Sequence, residues 1–204
     1  KNIKSPYQLR VIFLDYHIDS KKNQQFSPFL NWKNDIKVRN DILDLAELYS
    51  NIEFIFRGKD CDWFSNKFHH EVISRAKKLK NVRVDTKYDE NFRSYHLCAS
   101  ADLIIARPTS LAEECVSAGM DVIVLDYGIN YQTQVSRWIP ELQSYHCHSF
   151  IQLQEMMKNF IKNGYVISNS DKNKIQDIVF SNLTDGRVKE RLLSNLEILY
   201  SKIL

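Results

Sequence analysis

Residues 101–126 read ADLIIARPTSLAEECVSAGMDVIVLD. The stretch holds an apolar run at Leu103–Ile105, a loop with a proline and two hydroxyl side chains, a short helical segment, and a second apolar run at Val122–Leu125. Runs that are apolar at nearly every position are typical of parallel strands covered by helices on both faces. A strand, a helix and a strand in this order predict a right-handed crossover within a parallel sheet.

The same alternation of short apolar runs and helical patterns extends along most of the chain. Further strands are predicted at Leu9–Leu14, Ile52–Phe56, Val82–Val84 and, at an edge of the sheet, Tyr145–His148. Helical periodicity is predicted at residues 34–49, 66–79, 91–99, 110–118, 150–162, 171–180 and 186–203. The predicted fold class is therefore α/β, a Rossmann-like parallel sheet with helices on both faces and a C-terminal helical extension.

Composition narrows the class of protein without naming an activity. The chain has 204 residues and a formal net charge of +3, which is too small to indicate a nucleic-acid partner. We predict a Rossmann-like domain over residues 1–150 and a helical extension over 151–204 that packs on the same domain. Because the chain begins with Lys1 rather than methionine, we expect it to be a piece of a longer protein. Its scattered cysteines favour a reducing, cytoplasmic compartment.

Two adjacent glutamates stand out in the opening stretch. Ser110 and Glu113 have the spacing of a capping box, in which the serine hydroxyl caps the helix and the glutamate reaches back to it. Glu113 then faces solvent, which explains it without any function. Glu114 lies at the edge of the buried stripe, where a carboxylate must be solvated, paired or bound to a ligand. Two hydroxyl groups of a ribose would suit it.

Cations and helix amides at the carboxyl ends of the predicted strands suggest an anion site. The start of the 110–118 helix, with Thr109 and Ser110 beside it, would hold a phosphate or diphosphate. Arg57 and Lys59 follow the second strand, and Arg107 follows the fourth. Ligands of open parallel sheets bind at this edge. The alternative interpretation of Arg57 and Lys59 is an ordinary solvated loop.

Other loops at the same edge offer polar groups for a base and a sugar. Thr86 and Tyr88 follow the third strand and could hold a base, although a plain surface tyrosine explains Tyr88 equally well. Tyr127, Gly128 and Gln132 follow the fifth strand and could contact sugar hydroxyls. His146 and His148 make an incomplete metal set, so we predict no metal held by protein ligands and no cofactor.

The segment DLIIARPTSLAEECVSAGMDVIVLDYG, residues 102–128, resembles the nucleotide-binding stretch of the C-terminal domain of GT-B glycosyltransferases. In that family a strand and loop lead into a helix that ends in E-x4-G, which Glu114 and Gly119 match. The family's glutamate binds the donor ribose, and the helix start holds the donor phosphate. The resemblance spans about residues 9–150, and FRGKD around Arg57 resembles the basic loop that meets the donor phosphates. Ala106 stands where the family's E-x7-E subgroup has a carboxylate, which argues against that subgroup.

The resemblance implies a glycosyltransferase that moves a sugar from a nucleotide-activated donor to a growing surface glycan or glycolipid, in polysaccharide biosynthesis. The acceptor site and the usual catalytic base would belong to an N-terminal domain of the same protein, so we predict no transfer by this chain alone. Asp15 and His17 follow the first strand, but neither is assigned as the base. The expected location is cytoplasmic. A peripheral association of the full-length protein with the inner face of the membrane is compatible with this location.

Two alternatives stay open at the sequence level. The first is a non-hydrolysing UDP-sugar 2-epimerase, which shares the fold and also carries adjacent glutamates, although its Gly-Gly loop is missing here. The second is a nucleotide-binding or interaction domain without catalysis. Relatives that polymerise glycerol phosphate on this fold use a similar cytidine or uridine diphosphate-type donor.

Overall fold

The computed structural model describes residues 6–15, 32–58, 69–87, 92–127, 140–180, 187, 190–194 and 198. Strands and helices alternate along this part of the chain, as predicted. The strands are β1 Leu9–Leu14, β2 Ile52–Arg57, β3 Val82–Val84, β4 Leu103–Ala106, β5 Val122–Leu125 and β6 His146–Cys147. The α-helices are α1 Trp32–Leu48, α2 His70–Lys78, α3 Arg93–Ala99, α4 Ser110–Ser117, α5 Phe150–Asn163 and α6 Asn169–Phe180, and a 3₁₀ helix spans Pro140–Tyr145.

All the strands form one parallel sheet in the order β3-β2-β1-β4-β5-β6. The chain builds outward from β1 to β3, then returns to place β4 on the other side of β1. Because the direction of winding reverses between β1 and β4, the carboxyl ends of these two strands mark the topological switch point, which is where open parallel sheets bind ligands. The predicted fold class is confirmed.

Alternate residues of the four inner strands, β1, β2, β4 and β5, supply two separate cores, one on each face of the sheet. On one face, Val11 and Phe13 of β1 pack with apolar residues of α1, α2 and α5, and the rings of Phe13 and Phe56 meet edge to face at 5.2 Å. On the other, Ile12 and Leu14 pack with residues of α3, α4 and α6. These inner strands are buried on both faces, which is why their sequences are apolar at consecutive positions.

Local signals set the bounds of α4, and they correct one prediction. The N-cap is Thr109, whose Oγ1 accepts a hydrogen bond from the Ala112 amide at 3.3 Å. The prediction of a capping box at Ser110 and Glu113 is therefore wrong, because the N-cap lies one residue earlier in the chain. Thr109 has extended backbone angles as the chain leaves Pro108, so Thr109 and not Ser110 occupies the capping position.

The glycine of the E-x4-G pattern ends α4. Gly119 has φ of +74°, its amide donates to the Val116 carbonyl at 2.9 Å, and the Met120 amide donates to the Cys115 carbonyl at 3.1 Å. These paired bonds form a Schellman motif, which requires the left-handed conformation that glycine adopts without strain. The need for Gly119 is thus structural, whereas the ribose contact expected of Glu114 stays a prediction.

The C-terminal helices cover both faces of the sheet. Leu153, Met157 and Phe160 of α5 join the core beneath α1, and Ile175 of α6 joins the opposite core. The predicted division at residue 150 stays a prediction, and most of the helix predicted at 186–203 lies outside the described residues. Within the described ranges, no helix combines the length and the apolar character that crossing a membrane requires.

Candidate functional site

A row of buried charges lies along the carboxyl edge of the sheet. Each of the first five strands ends in, or is directly followed by, a charged residue that is at most 8% exposed. In the spatial order of the strands, the signs alternate: Asp85, Arg57, Asp15, Arg107 and Asp126. We call this set the charged row. Alternating signs allow charged groups to be buried side by side, since each lies near opposite charges.

Backbone hydrogen bonds continue the sheet into the charged row. The Asp85 amide donates to the Phe56 carbonyl, the Asp15 amide to the Arg57 carbonyl, and the Arg107 amide to the Leu14 carbonyl, each at 2.9 Å. The residues of the row are therefore held by the same ladder that holds the strands. The parallel sheet places them on rigid supports at the edge where this class of fold binds ligands.

The outer part of the row is an ion-pair cluster around Asp85. Arg57 Nη1 donates to Asp85 Oδ2 at 3.2 Å, and Arg93 of α3 donates to both carboxylate oxygens at 3.0 and 3.1 Å. Arg57 also donates to Ser94 Oγ at 3.1 Å and to the Lys87 carbonyl at 2.7 Å. Arg57 is only 6% exposed, so it is neither the free cation nor the solvated surface residue that the sequence suggested.

A second cluster surrounds Asp15 at the end of β1. Arg39 of α1 is fully buried, and its Nε and Nη2 both lie 2.6 Å from Asp15 Oδ2. Arg39 Nη1 lies 3.0 Å from Nδ1 of His69, which is also fully buried. Asp15 thus forms a buried ion pair with the guanidinium of Arg39. His17, considered beside it from the sequence, lies outside the described residues.

His69 makes the stability of this cluster dependent on pH. Burial, followed by the Arg39 charge, lowers the pKa of His69 from its usual 6.5 to about 4, and the charge of Asp15 opposes this shift in part. Between these values the unfolded chain binds a proton that the folded protein does not, so stability falls as pH falls from about 6.5 to about 4.

Between about pH 7 and about pH 4.5, we expect the urea midpoint of the wild type to decrease more than the urea midpoint of His69→Asn does. The variant lacks the His69 ring, so its remaining pH dependence comes from the other histidines and from the carboxylates. His70→Asn, which changes the exposed neighbouring histidine, is the matched control and should keep the wild-type slope. Equal slopes for the wild type and His69→Asn would contradict the assignment.

The far end of the charged row pairs a carboxylate with two histidines. Asp126 Oδ2 lies 3.4 Å from Nδ1 of His146 and 4.0 Å from Nδ1 of His148, and the two imidazole rings stack at 6.3 Å. His146 is buried, whereas 53% of the His148 side chain is exposed. Among the described residues, no group of three or more His, Cys, Asp or Glu side chains is arranged to hold a metal ion. The prediction that protein ligands hold no metal stays a prediction.

Tyr127, predicted to contact a sugar, is 7% exposed and belongs to the core cluster beneath α1. The ammonium of Lys37 lies 5.2 Å from the centre of its ring and forms a 2.7 Å ion pair with Asp41. Burial, followed by the charge of Asp41, raises the pKa of Tyr127 well above its usual range. The hydroxyl therefore stays protonated and the ring stays packed in the core.

The two adjacent glutamates of α4 are both exposed, so water solvates their like charges. Glu114 Oε2 accepts a 2.8 Å hydrogen bond from the hydroxyl of Tyr95 on α3. Burial, followed by the charge of Glu114, raises the pKa of Glu113. Glu114 is therefore the glutamate whose side chain reaches α3, and the functional distinction between the two stays a prediction.

The structure brings together only some of the predicted site residues. Arg57 and Arg107 lie in the charged row, Thr109 and Ser110 begin α4, and Glu114 lies one turn further along. Thr86 is exposed in the loop after β3. Four of the other predicted residues lie outside the described residues: Lys59, Tyr88, Gly128 and Gln132.

Several residues of the site were missed from the sequence: Arg39, His69, Asp85, Arg93 and Tyr95. A signal for Asp85 existed, because a charged residue ends or follows nearly every apolar run. Arg39 and Tyr95 lie within helices and His69 directly precedes α2, and all three gain their roles only from residues far away in the chain. No sequence pattern indicates such contacts.

The fold is similar to one half of a GT-B protein. The chain superposes with a TM-score of 0.52 on the C-terminal domain of a group 1 glycosyl transferase, LpcC from Francisella tularensis, at 12% identity, covering 84% of this chain and 86% of that one. It superposes equally well, at 0.52 and 15% identity, on UDP-GlcNAc 2-epimerase from Neisseria meningitidis bound to UDP-GlcNAc, covering 86% of this chain and 44% of the epimerase. At these identities the likeness shows the fold.

Sequence comparison adds no family. No family model matches the chain. Among curated proteins, Protein COS6 of Saccharomyces cerevisiae is 28% identical over 39% of this chain and 23% of its own length. Protein COS2 of the same yeast is also 28% identical, over 41% of this chain and 22% of its own. The chain spans less than a quarter of these curated relatives, and matches of this extent carry no functional argument.

Proposed function

We propose that this chain is the donor-binding half of a glycosyltransferase and that it holds a nucleotide-sugar in the crevice between the ends of β1 and β4. The observation that carries the proposal is the placement of α4. Its Thr109-capped N-terminus follows β4 directly at the topological switch point, and Glu114 lies one turn further along the same helix. An anion at the helix start and a ribose at Glu114 would lie at the separation that one nucleotide provides.

The amides of the first turn of α4 supply hydrogen-bond donors and the positive end of the helix dipole to a diphosphate. Arg107 follows β4 immediately before this turn, and Arg57 lies across β1 from it in the charged row. Charge builds on the departing nucleoside diphosphate during sugar transfer. Fixed amides and guanidinium groups stabilise that charge without reorganising, which is where such a site contributes to rate.

The remaining parts of the reaction belong to the longer protein. We propose that an N-terminal domain of the full-length protein supplies the catalytic base and binds a glycan or glycolipid acceptor. This reaction would take place in the cytoplasm or at the inner face of the membrane. The closed cleft between two domains would exclude water from the activated sugar. This chain alone would then bind the donor without transferring its sugar.

The test is calorimetric titration of this chain with CMP, CDP, UDP, GDP and ADP. We expect one nucleoside diphosphate to bind selectively and Glu114→Ala to weaken that binding by about 10- to 100-fold, since hydrogen bonds to a charged carboxylate are lost. Glu155→Ala on α5, another exposed glutamate, is the control and should bind as the wild type does. Binding that is unchanged in Glu114→Ala, or no binding to any nucleotide, would contradict the proposal.

A second candidate function, a UDP-sugar 2-epimerase, is favoured by the equal superposition on UDP-GlcNAc 2-epimerase. Both candidates need a nucleoside diphosphate in the same crevice, so the titration alone does not separate them. Incubating the full-length protein with UDP-GlcNAc and following the sugar by NMR does. Inversion at C2 with the nucleotide still attached would establish the epimerase, whereas UDP release only when an acceptor is present would establish the transferase.

A further inference from the structure

The hydrogen bond between Tyr95 and Glu114 joins two exposed side chains at the ligand edge of the sheet. Tyr95 lies in the first turn of α3 and is 49% exposed, and its hydroxyl lies 2.8 Å from Glu114 Oε2. A bond between exposed groups adds little to stability, because water satisfies both partners in the unfolded chain. Its consequence is geometric: a flexible carboxylate on α4 is tied to a ring on the neighbouring helix.

The same turn of α3 exposes a second aromatic ring on strained backbone. Phe92, the N-cap of α3, is 72% exposed and has φ of +59°, the left-handed conformation that bulky residues rarely adopt. Its ring meets that of Tyr95 edge to face, with 6.1 Å between their centres. Left-handed backbone at a bulky residue costs free energy, and such strain concentrates at ligand sites. An exposed aromatic pair is thus placed beside Glu114.

The geometry points to Tyr95 as a positioning residue that sets Glu114 to accept hydrogen bonds from the adjacent hydroxyls of a ribose. A carboxylate has about four lone-pair sites, and the Tyr95 hydroxyl occupies one of them at Oε2. Oε1 and the second site on Oε2 remain for two neighbouring hydroxyls. The inference rests on the proposed function, and it adds that the Phe92–Tyr95 pair offers its rings to the base of the same nucleotide.

The proposal predicts a loss of discrimination between ribose and deoxyribose in Tyr95→Phe. The ring and its packing are kept, and only the hydroxyl that holds Glu114 is removed. UDP, CDP, GDP and ADP are each titrated beside their 2′-deoxy counterparts. We expect Tyr95→Phe to weaken binding of the selected ribonucleotide by about 3- to 10-fold and to weaken its 2′-deoxy form, which keeps only the 3′-hydroxyl, by a smaller factor.

Two further variants separate positioning from a merely structural role. In the Glu114→Ala background, Tyr95→Phe should have no further effect on affinity, because the carboxylate that it positions is gone. Phe92→Ala should weaken ribose and deoxyribose nucleotides by the same factor, about 5-fold or more, since stacking on a base ignores the sugar. Urea midpoints close to that of the wild type would confirm that the variants fold.

The outcomes distinguish this inference from the proposed function. If the wild type binds a nucleotide through Glu114 and Tyr95→Phe lowers both sugar forms equally or neither, the positioning role is overturned and the donor-binding function stands. If the wild type binds no nucleotide, both are overturned. A smaller ribose-to-deoxyribose ratio in Tyr95→Phe, absent in the Glu114→Ala background, supports both.

Discussion

Asp15→Ala is expected to lower the free energy of unfolding by about 3–5 kcal/mol, the loss found when one partner of a buried ion pair is removed. The Arg39 guanidinium is 0% exposed, and Asp15 Oδ2 lies 2.6 Å from two of its nitrogens. Without that carboxylate the buried cation loses the opposite charge that Asp15 supplies. Urea denaturation of the wild type and the variant measures the difference.

Matched variants show whether burial is the cause. Glu190→Ala breaks an ion pair with the same 2.6 Å distance to Arg187, but its side chains are 67% and 65% exposed, so a loss below about 1 kcal/mol is expected. Asp15→Asn keeps the shape and removes the charge, and should retain most of the destabilisation. A loss below about 1 kcal/mol in Asp15→Ala would show that water reaches Arg39.

Asp85→Ala is expected to cost about 3 kcal/mol of unfolding free energy. Its carboxylate accepts from Arg57 at 3.2 Å and from Arg93 at 3.0 and 3.1 Å, and only 2% of the Asp85 side chain is exposed. The loss is smaller than for Asp15 because Arg57 also donates to Ser94 and to the Lys87 carbonyl. Thermal and urea unfolding would measure it.

Asp44→Ala is the control for Asp85. Asp44 pairs with Arg75 at 2.6 Å, but 42% of its side chain is exposed, and its removal should cost less than about 1 kcal/mol. If the two aspartates cost the same, the cluster around Asp85 is solvated and its arginines are available as surface cations. If Asp85 costs more, the same cluster fixes Arg57 at the edge of the crevice before any ligand arrives.

Hydrophobic periodicity was sufficient to predict the fold. The bounds of β1, β3 and β5 agree with the predicted runs, β2 and β4 are each one residue longer, and β6 is one residue shorter at each end. Strands covered on both faces are apolar throughout, and this signal is local. The capping box failed because Thr109 and Ser110 both suit an N-cap, and the choice between them depends on where the chain leaves the sheet.

The candidate site was only partly predictable. Arg57, Arg107 and Glu114 could be placed at the carboxyl edge, because parallel strands put all their ends on one side. The sequence alone could not show that Arg57 is buried against Asp85, since the two are separated by a helix and a strand. Arg57 and Tyr127 both read as candidate ligands from their positions, yet one is enclosed in an ion-pair cluster and the other in the core.

The sequence by itself determined the parallel sheet, its helices and the edge at which the charged side chains lie. Periodicity and chain connectivity are properties of neighbouring residues. A charged residue that ends or directly follows an apolar run therefore lies at the carboxyl end of that strand. Only the tertiary structure decided the alternation of signs along the charged row, because the order β3-β2-β1-β4-β5-β6 differs from the order along the chain. It also decided that Tyr95 meets Glu114, since side-chain contacts between helices depend on how both pack against the sheet.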